Sequence, residues 1–179
     1  MQICEGCGAA APDLATLPVE AVEIVESEAY LDLHARPETA TAFLRHAMLC
    51  RSGDRAGVYL QAAWAADDAG DTDAAAHYRR EAAANWGEPD GIESALRLID
   101  ILRRAGLLKA ADECCGVIAG DAMDERSEAI LKFQQARIAD GDTGRHLMSS
   151  ALRPPSRMPH VAHGKQAAKP GFFARLLGK

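Results

Sequence analysis

The sequence predicts an all-α protein built from antiparallel helical hairpins. Alanine, the strongest helix former, supplies 36 of the 179 residues, while aromatic residues are few. Apolar residues recur at helical steps, as at Ala95, Leu98, Ile99 and Leu102. Short breaks in which Gly adjoins Asp recur along the chain, and each combines a helix stop with an N-cap for the next helix. Because these connections are short, we expect neighbouring helices to run antiparallel.

The breaks divide residues 37–152 into seven predicted helices. They cover about 37–52, 54–69, 72–85, 91–105, 107–119, 123–140 and 143–152. Residues 9–36 are less regular. Thr16 and Pro18 fit the start of a helix, whereas Val22-Glu23-Ile24 and Leu31-Asp32-Leu33 alternate like short strands. We predict helix for this segment, with a strand hairpin, which would suit a small zinc ribbon, as the alternative.

Charge is distributed unevenly along the chain. The net charge is -6, but residues 153–179 carry six Lys or Arg and no acidic residue, which leaves -12 on residues 1–152. An acidic body repels phosphates and therefore argues against nucleic-acid binding by the folded part. The N-terminus lacks a basic region followed by an apolar run, and no apolar run approaches about 20 residues. We therefore expect a cytoplasmic protein, with the inner-membrane surface as an alternative location.

Three glycines suggest an internal repeat. Gly70, Gly106 and Gly141 are separated by 36 and 35 residues, and each lies between two predicted helices. A period near 34 residues is typical of helix–turn–helix arrays. The first unit spans Ala56–Gly87 and the second Ser94–Gly120. An ordinary helical bundle with accidental spacing is the alternative.

The first unit resembles a tetratricopeptide repeat. The resemblance is carried by a large aromatic residue, an inter-helix turn and small residues where the two helices approach, namely Tyr59, Gly70-Asp71, Ala75 and Ala82. The second unit matches through Leu98, Leu102, Gly106 and Ala111, with Ile118 where a small residue is usual. Ala63 and Ala66 replace the family's central Gly and Tyr, so the repeats are degenerate. The resemblance covers roughly residues 40–150 and implies a concave protein-binding surface.

The N-terminal stretch Cys4-Glu5-Gly6-Cys7-Gly8 has the spacing of half a metal site. Two cysteines two residues apart can bind one tetrahedral ion, and the small residue after the second Cys resembles a zinc knuckle. A structural zinc ion takes four Cys or His ligands. No second Cys-x-x-Cys exists in the chain, so the other two ligands must come from single residues.

His46 and Cys50 are the predicted completing pair. On a helix, residues i and i+4 lie one above the other, so both side chains face the same way. The predicted structural zinc site is therefore Cys4, Cys7, His46 and Cys50, with His34 as the main rival ligand. Taken singly, Cys50 would be a small buried hydrophobe and His46 a surface imidazole. Cys114 and Cys115 are interpreted as core and turn residues.

A second resemblance covers the N-terminal half. Cys-x-x-Cys-Gly, a helix ending in Cys50 and the stretch Ala-Gly-Val-Tyr-Leu-Gln-Ala-Ala-Trp at residues 56–64 resemble an uncharacterised bacterial family that joins a zinc ribbon to tetratricopeptide-like helices. The chain lacks the second Cys-x-x-Cys of such a ribbon. Ligands borne by a helix are therefore expected in its place.

Catalytic interpretations find less support in the sequence. A thioredoxin-type role for Cys4 and Cys7 requires a preceding strand, and we expect none before residue 4. The chain has no nucleotide loop, Gly-x-Ser-x-Gly or His-Glu-x-x-His motif. Asp67-Asp68 and Asp71-Thr72-Asp73 could gather a hard cation, but we interpret them as helix caps and solvated ends. A redox or hydrolytic metalloprotein is the alternative class, and no small-molecule substrate is evident.

The C-terminal segment predicts a binding motif. Residues 153–169 are rich in Pro and charge and are interpreted as a flexible basic linker. In residues 170–179, a short helix would place four apolar residues and a neighbouring Arg on one face, namely Phe172, Phe173, Leu176, Leu177 and Arg175. This face could pack on the protein itself, on a partner's groove or on an anionic membrane.

These observations predict four segments and one function. Residues 1–36 form the Cys-x-x-Cys segment, 37–152 the tetratricopeptide-like domain, 153–169 the linker and 170–179 the amphipathic motif. We expect a non-enzymatic adaptor that binds another protein through its helical surface and its C-terminal motif. Structural zinc would pin its N-terminus to the helices.

Overall fold

The computed structural model describes residues 1–34, 39–50 and 55–152. Most of the described residues are helical, which confirms the all-α class, and one short strand hairpin precedes the helices. The strands are β1 (Gln2–Ile3) and β2 (Ala10–Ala11), and a 3-10 turn follows at Leu14–Thr16. The helices are α1 (Ala21–Val25), α2 (Glu28–His34), α3 (Thr39–Leu49), α4 (Arg55–Asp68), α5 (Thr72–Ala84), α6 (Ile92–Arg104), α7 (Leu108–Ile118), α8 (Glu125–Ala139) and α9 (Met148–Ala151).

The segment before α3 is helical where the sequence left helix and strand open. Val22 and Leu31, which could have belonged to strands, lie in α1 and α2. The helix does not start at Thr16, however. Asp13 caps a 3-10 turn there by accepting a hydrogen bond from the backbone N–H of Ala15, and α1 begins only at Ala21.

From α4 to α8 the predicted helices agree with the structure to within about two residues. The predicted break at Gly53-Asp54 lies outside the described residues. The last predicted helix is much shorter than expected, because only Met148–Ala151 is helical. Among the described helices, none is long and apolar enough to cross a membrane.

The three repeat glycines adopt the same backbone conformation. Gly70, Gly106 and Gly141 have φ of 77°, 77° and 69°, in the left-handed region that favours glycine. Each donates its N–H to the carbonyl three residues earlier, and the next residue donates to the carbonyl five residues earlier. This is the double hydrogen bond of a Schellman cap. The 36- and 35-residue spacing is therefore the spacing of three helix C-caps of the same type.

Buried residues recur at the same spacing as the three glycines. Seven residues before each glycine lies a buried side chain, Ala63, Ile99 or Gln134. Neighbouring helices pack in chain order from α3 to α8, and α6 also packs on α8. The first hairpin is formed by α4 and α5 and the second by α6 and α7. The second hairpin and α8 share a cluster of buried residues, namely Ala95, Leu96, Ile99, Leu102, Ala111, Cys115, Ile118, Ile130, Leu131 and Ile138.

Two buried arginines organise polar networks between the helices. Arg79 on α5, 2% exposed, forms a bidentate ion pair with Asp67 on α4, and Arg104 on α6 donates to the same carboxylate at 2.8 Å. Asp67 was expected to be a solvated helix end, and that interpretation is wrong because three helices meet at its carboxylate. Asp71 does cap a helix as expected, accepting from the N–H of Ala74.

The second network is centred on Arg103, which is 0% exposed. Its Nε donates to Gln134 Oε1 at 2.7 Å and its Nη2 to Asp100 Oδ1 at 2.9 Å. Its Nη1 donates to the carbonyls of Asp142 and Gly144 at 2.6 and 3.0 Å. One side chain on α6 thus fixes α8 and the loop that follows it.

Candidate metal centre at the N-terminus

Cys4 and Cys7 lie in the tight turn that joins β1 to β2. Gln2 pairs with Ala11 and Ile3 with Ala10 in antiparallel register. The N–H of Gly8 donates to the Cys4 carbonyl at 2.9 Å. Both cysteines therefore lie in one short loop that a backbone hydrogen bond closes, and this loop, residues 4–8, is called the knuckle.

Backbone groups of this loop point at the first sulfur. Hydrogen bonds from the backbone of Cys7 and Gly6, together with the Cys7 thiol, lower the pKa of Cys4. Slight burial and the charge of Glu5 raise it, but these effects are smaller. The thiolate is the form of cysteine that ligates metals, and these hydrogen bonds favour it at Cys4. Cys4 is half-buried and Cys7 is exposed.

The body of the protein holds the knuckle through the carbonyl of Gly8. Tyr30 on α2, fully buried, donates its hydroxyl to this carbonyl at 3.2 Å and accepts from the N–H of Ala10 at 3.1 Å. Arg45 on α3 donates Nη1 to the same carbonyl at 2.8 Å. Desolvation raises the pKa of Tyr30, so its hydroxyl keeps the proton that it donates. Neither residue was a candidate from the sequence, because both contacts span more than 20 residues.

His34, the rival ligand, lies against the knuckle but is engaged by Arg45. Arg45 Nη1 is 2.8 Å from His34 Nδ1. A guanidinium can only donate, so Nδ1 is the acceptor and the neutral ring carries its proton on Nε2. In this arrangement neither ring nitrogen offers a lone pair to a metal ion.

His46 and Cys50 are brought together as the i, i+4 spacing predicted. Cys50 Sγ lies 3.2 Å from His46 Nε2 and 3.7 Å from Nδ1. Zinc–ligand lengths in a tetrahedral site place sulfur and nitrogen about 3.6 Å apart, so the pair has a suitable spacing. Both side chains line a groove of about 540 Å³ together with Asp13, Leu17 and neighbouring residues of the segment 11–18.

The structure therefore shows two separate pairs. Within residues 1–34, 39–50 and 55–152, no three His, Cys, Asp or Glu side chains are arranged as a set of metal ligands. The combination of Cys4, Cys7, His46 and Cys50 remains a prediction. The predicted binding residues of the C-terminal motif, Phe172, Phe173, Arg175, Leu176 and Leu177, lie outside the described residues.

A strand, β1, precedes Cys4, so the expectation that no strand lies before residue 4 is wrong. Its two residues were not recognised because such a short strand has no pattern of its own. The element after Cys7 is the strand β2 and not a helix. The N-terminal helix dipole of thioredoxin-type pairs is therefore absent from this turn.

The other two cysteines, Cys114 and Cys115, lack the features of a reactive or metal-binding thiol. Cys115 is 1% exposed, and desolvation raises its pKa to about 11. Desolvation also raises the pKa of Cys114, which is half-buried. Both lie within α7, where Cys115 belongs to the core and Cys114 packs on it, so the interpretation as core residues is confirmed and that of a turn residue is wrong.

We expect Gly8→Ala to disrupt the knuckle. Gly8 has φ of 72°, and an added Cβ would lie 2.6 Å from His34 Nδ1. Left-handed strain and this clash together should cost about 3 kcal/mol. Amide hydrogen exchange at Cys4 and Gly8 would measure the loosening. Gly70→Ala is the matched control, since φ is 77° but nothing lies within 4 Å, and it should cost about 1–2 kcal/mol. Equal losses of stability in Gly8→Ala and Gly70→Ala would show that the added Cβ at residue 8 does not clash with His34.

A second concave surface lies between α6, α8 and the start of α9. This groove, of about 330 Å³, has an apolar floor that includes Leu96, Ile130 and Phe133. Charges of both signs surround it, namely Glu93, Arg97, Asp124 and Arg126. Met148, 54% exposed, and Leu147, 68% exposed, form one wall.

No protein-family model, curated protein or solved structure matches this chain.

Proposed function

We propose that this chain is a non-enzymatic adaptor that binds another protein through its helical surface and its C-terminal motif. The observation that carries this proposal is the groove between α6 and α8, with its apolar floor and its rim of mixed charge. Protein interfaces combine an apolar centre and a polar rim in this way. A partner segment with an apolar face and flanking charges of both signs fits the groove.

The hairpins support the same proposal. The three identical glycine caps and the chain-order packing of α3 to α8 are the features expected of a degenerate tetratricopeptide-like array. Such arrays act by presenting a surface. Phe172, Phe173, Arg175, Leu176 and Leu177 would supply a second contact, with an anionic membrane as the alternative target of that motif.

Zinc has a structural part in this proposal. Cys4 and Cys7 would be two of its ligands, because the knuckle is closed by backbone hydrogen bonds and favours a thiolate. His46 and Cys50 are the completing pair within the chain that the sequence predicts. A zinc ion with four protein ligands has no open position for a substrate water, so its contribution is stability. The alternative is a metalloprotein or thiol redox enzyme based on Cys4 and Cys7.

Affinity capture from a lysate of the source organism tests the adaptor. We expect the full chain to retain a defined protein, and Met148→Glu to reduce its recovery at least tenfold by placing a charge against the groove. Val117→Glu is the matched control, because Val117 is 78% exposed on α7, outside the groove. Equal recovery with both variants would remove the groove from the proposal.

Deletion of residues 170–179 tests the second contact. Loss of the same captured protein supports a partner-binding motif. If capture is unchanged while the melting temperature falls, the motif instead packs on its own chain. Sedimentation with anionic vesicles of phosphatidylserine and phosphatidylcholine tests the membrane alternative, which fails if the full chain stays in the supernatant.

A further inference from the structure

The knuckle exposes Cys7 to solvent, whereas Cys4 is half-buried and packs against the core around Tyr30 and Leu49. Met1, just before β1, and Ile3, on β1, are each 48% exposed. On the inner side the loop is closed by Tyr30 and Arg45, which both bind the Gly8 carbonyl. The Cys7 side of the knuckle therefore faces outward.

The orientation of α3 separates the two predicted ligand pairs. Successive residues of an α-helix point about 100° apart. Arg45 points to the knuckle, where it contacts Gly8 and His34. His46 and Cys50 line the groove against residues 11–18 instead. The face that α3 turns to the knuckle thus carries a cation and not the predicted ligands.

Two thiols supply only half of the ligands of a structural zinc ion. Among the residues that the structure describes, His34 is held by Arg45, and His46 and Cys50 contact each other in the groove lined by residues 11–18. We infer that the remaining two ligands are Cys4 and Cys7 of a second copy of this chain, so that one zinc ion joins two N-terminal hairpins. This inference rests on the proposed zinc binding at Cys4 and Cys7 and replaces His46 and Cys50 as the completing pair.

The charges around the knuckle fit such a site. Four thiolates and one Zn²⁺ carry a net charge of about -2. Each chain brings the Arg45 guanidinium, 6% exposed, to the Gly8 carbonyl beside the loop, and N–H groups of Gly6 and Cys7 to Cys4. These groups offset the negative charge. The carboxylate of Glu5, within the same loop, adds a negative charge.

The second copy would also cover exposed apolar surface. Met1 and Ile3 flank the knuckle and would lie at the junction of two hairpins. Two half-exposed side chains are far less than the roughly 1,200–2,000 Å² that a stable interface buries. The dimer therefore depends on the metal ion and should dissociate when zinc is removed.

The test uses the full chain, purified without chelator and kept in a phosphine reductant. Light scattering after size exclusion gives the mass, and elemental analysis gives the zinc content. We expect a dimer with half a zinc ion per chain, a monomer after chelation, and a dimer again when zinc alone is restored. A dimer that survives chelation would overturn the inference.

Variants distinguish the source of the ligands. Cys7→Ser should be a zinc-free monomer with unchanged helicity, because Cys7 is exposed. His46→Ala with Cys50→Ser should keep the dimer and its half zinc ion, as should the matched control Cys114→Ser. One zinc ion per monomer, lost in the His46 and Cys50 double variant, would establish the site within one chain instead. A zinc-bound monomer that depends on Cys4 and Cys7 alone would overturn the dimer but not the zinc. Absence of zinc from the wild type would overturn both.

Discussion

Asp67→Ala should lower the free energy of unfolding by about 3–5 kcal/mol, the range found when one partner of a buried ion pair is removed. The carboxylate is 16% exposed and pairs with Arg79, whose side chain is 3% exposed, and with Arg104, which is 12% exposed. Its loss leaves two arginines between α4, α5 and α6 without their counter-charge. Urea denaturation followed by circular dichroism measures the change.

The neighbouring Asp68 is the matched control. Its side chain is 77% exposed, and its ion pair with Arg145 is at the surface. Such pairs contribute about 0–1 kcal/mol, so Asp68→Ala should change stability by less than 1 kcal/mol. Similar losses of stability in Asp67→Ala and Asp68→Ala would show that the buried ion pairs of Asp67 contribute no more than a surface pair.

The same carboxylate gives stability a defined pH dependence. Burial alone would raise the pKa of Asp67, but hydrogen bonds and charges from Arg79 and Arg104 outweigh it, and the pKa is lowered. A carboxyl whose folded-state pKa lies below the unfolded value binds its proton more weakly when folded. Its contribution is therefore present above the ordinary value of about 4 and is lost as pH falls below it. Asp67→Asn should be less sensitive to acid than the wild type over this range.

Arg103→Ala should have the second large effect, about 3–5 kcal/mol. The substitution removes a fully buried guanidinium. Gln134 Oε1 and the carbonyls of Asp142 and Gly144 then lose their hydrogen-bond donor. The ion pair with Asp100 adds little, because that carboxylate is 41% exposed. The loop 140–147 should become sensitive to proteolysis at the same time.

Arg97→Ala, an exposed arginine on the same helix, provides the comparison for Arg103. It should change stability by less than about 0.5 kcal/mol and leave the loop protected. Unchanged proteolysis in Arg103→Ala would mean that the loop is held by other contacts.

The helices could be predicted because their ends are set locally. A glycine in the left-handed conformation ends a helix through hydrogen bonds within six residues, so Gly70, Gly106 and Gly141 marked the breaks correctly. Likewise, the i, i+4 spacing of His46 and Cys50 was enough to bring their side chains together. These features depend on the sequence near each residue.

What could not be predicted depends on distant residues. The two-residue strands lie beside a loop that Tyr30 and Arg45 hold by hydrogen bonds to Gly8 and Ala10, from helices 20 to 37 positions away. Asp67 was assigned to solvent because nothing nearby in sequence identifies Arg79 and Arg104 as its partners. Spacing placed His46 and Cys50 on one face of α3, but packing decides which way that face turns.

The equivalent positions of the two hairpins differ in size, and this has a geometric consequence. Seven residues before and twelve residues after the glycine, the first hairpin has Ala63 and Ala82, whereas the second has Ile99 and Ile118. Helix axes approach more closely where the contact residues are small, within a range of about 8–10 Å. Accordingly, α4 and α5 bring more of their backbones close together than α6 and α7 do. A stack whose layers differ in thickness bends unevenly, so the proposed array would change its curvature along its length.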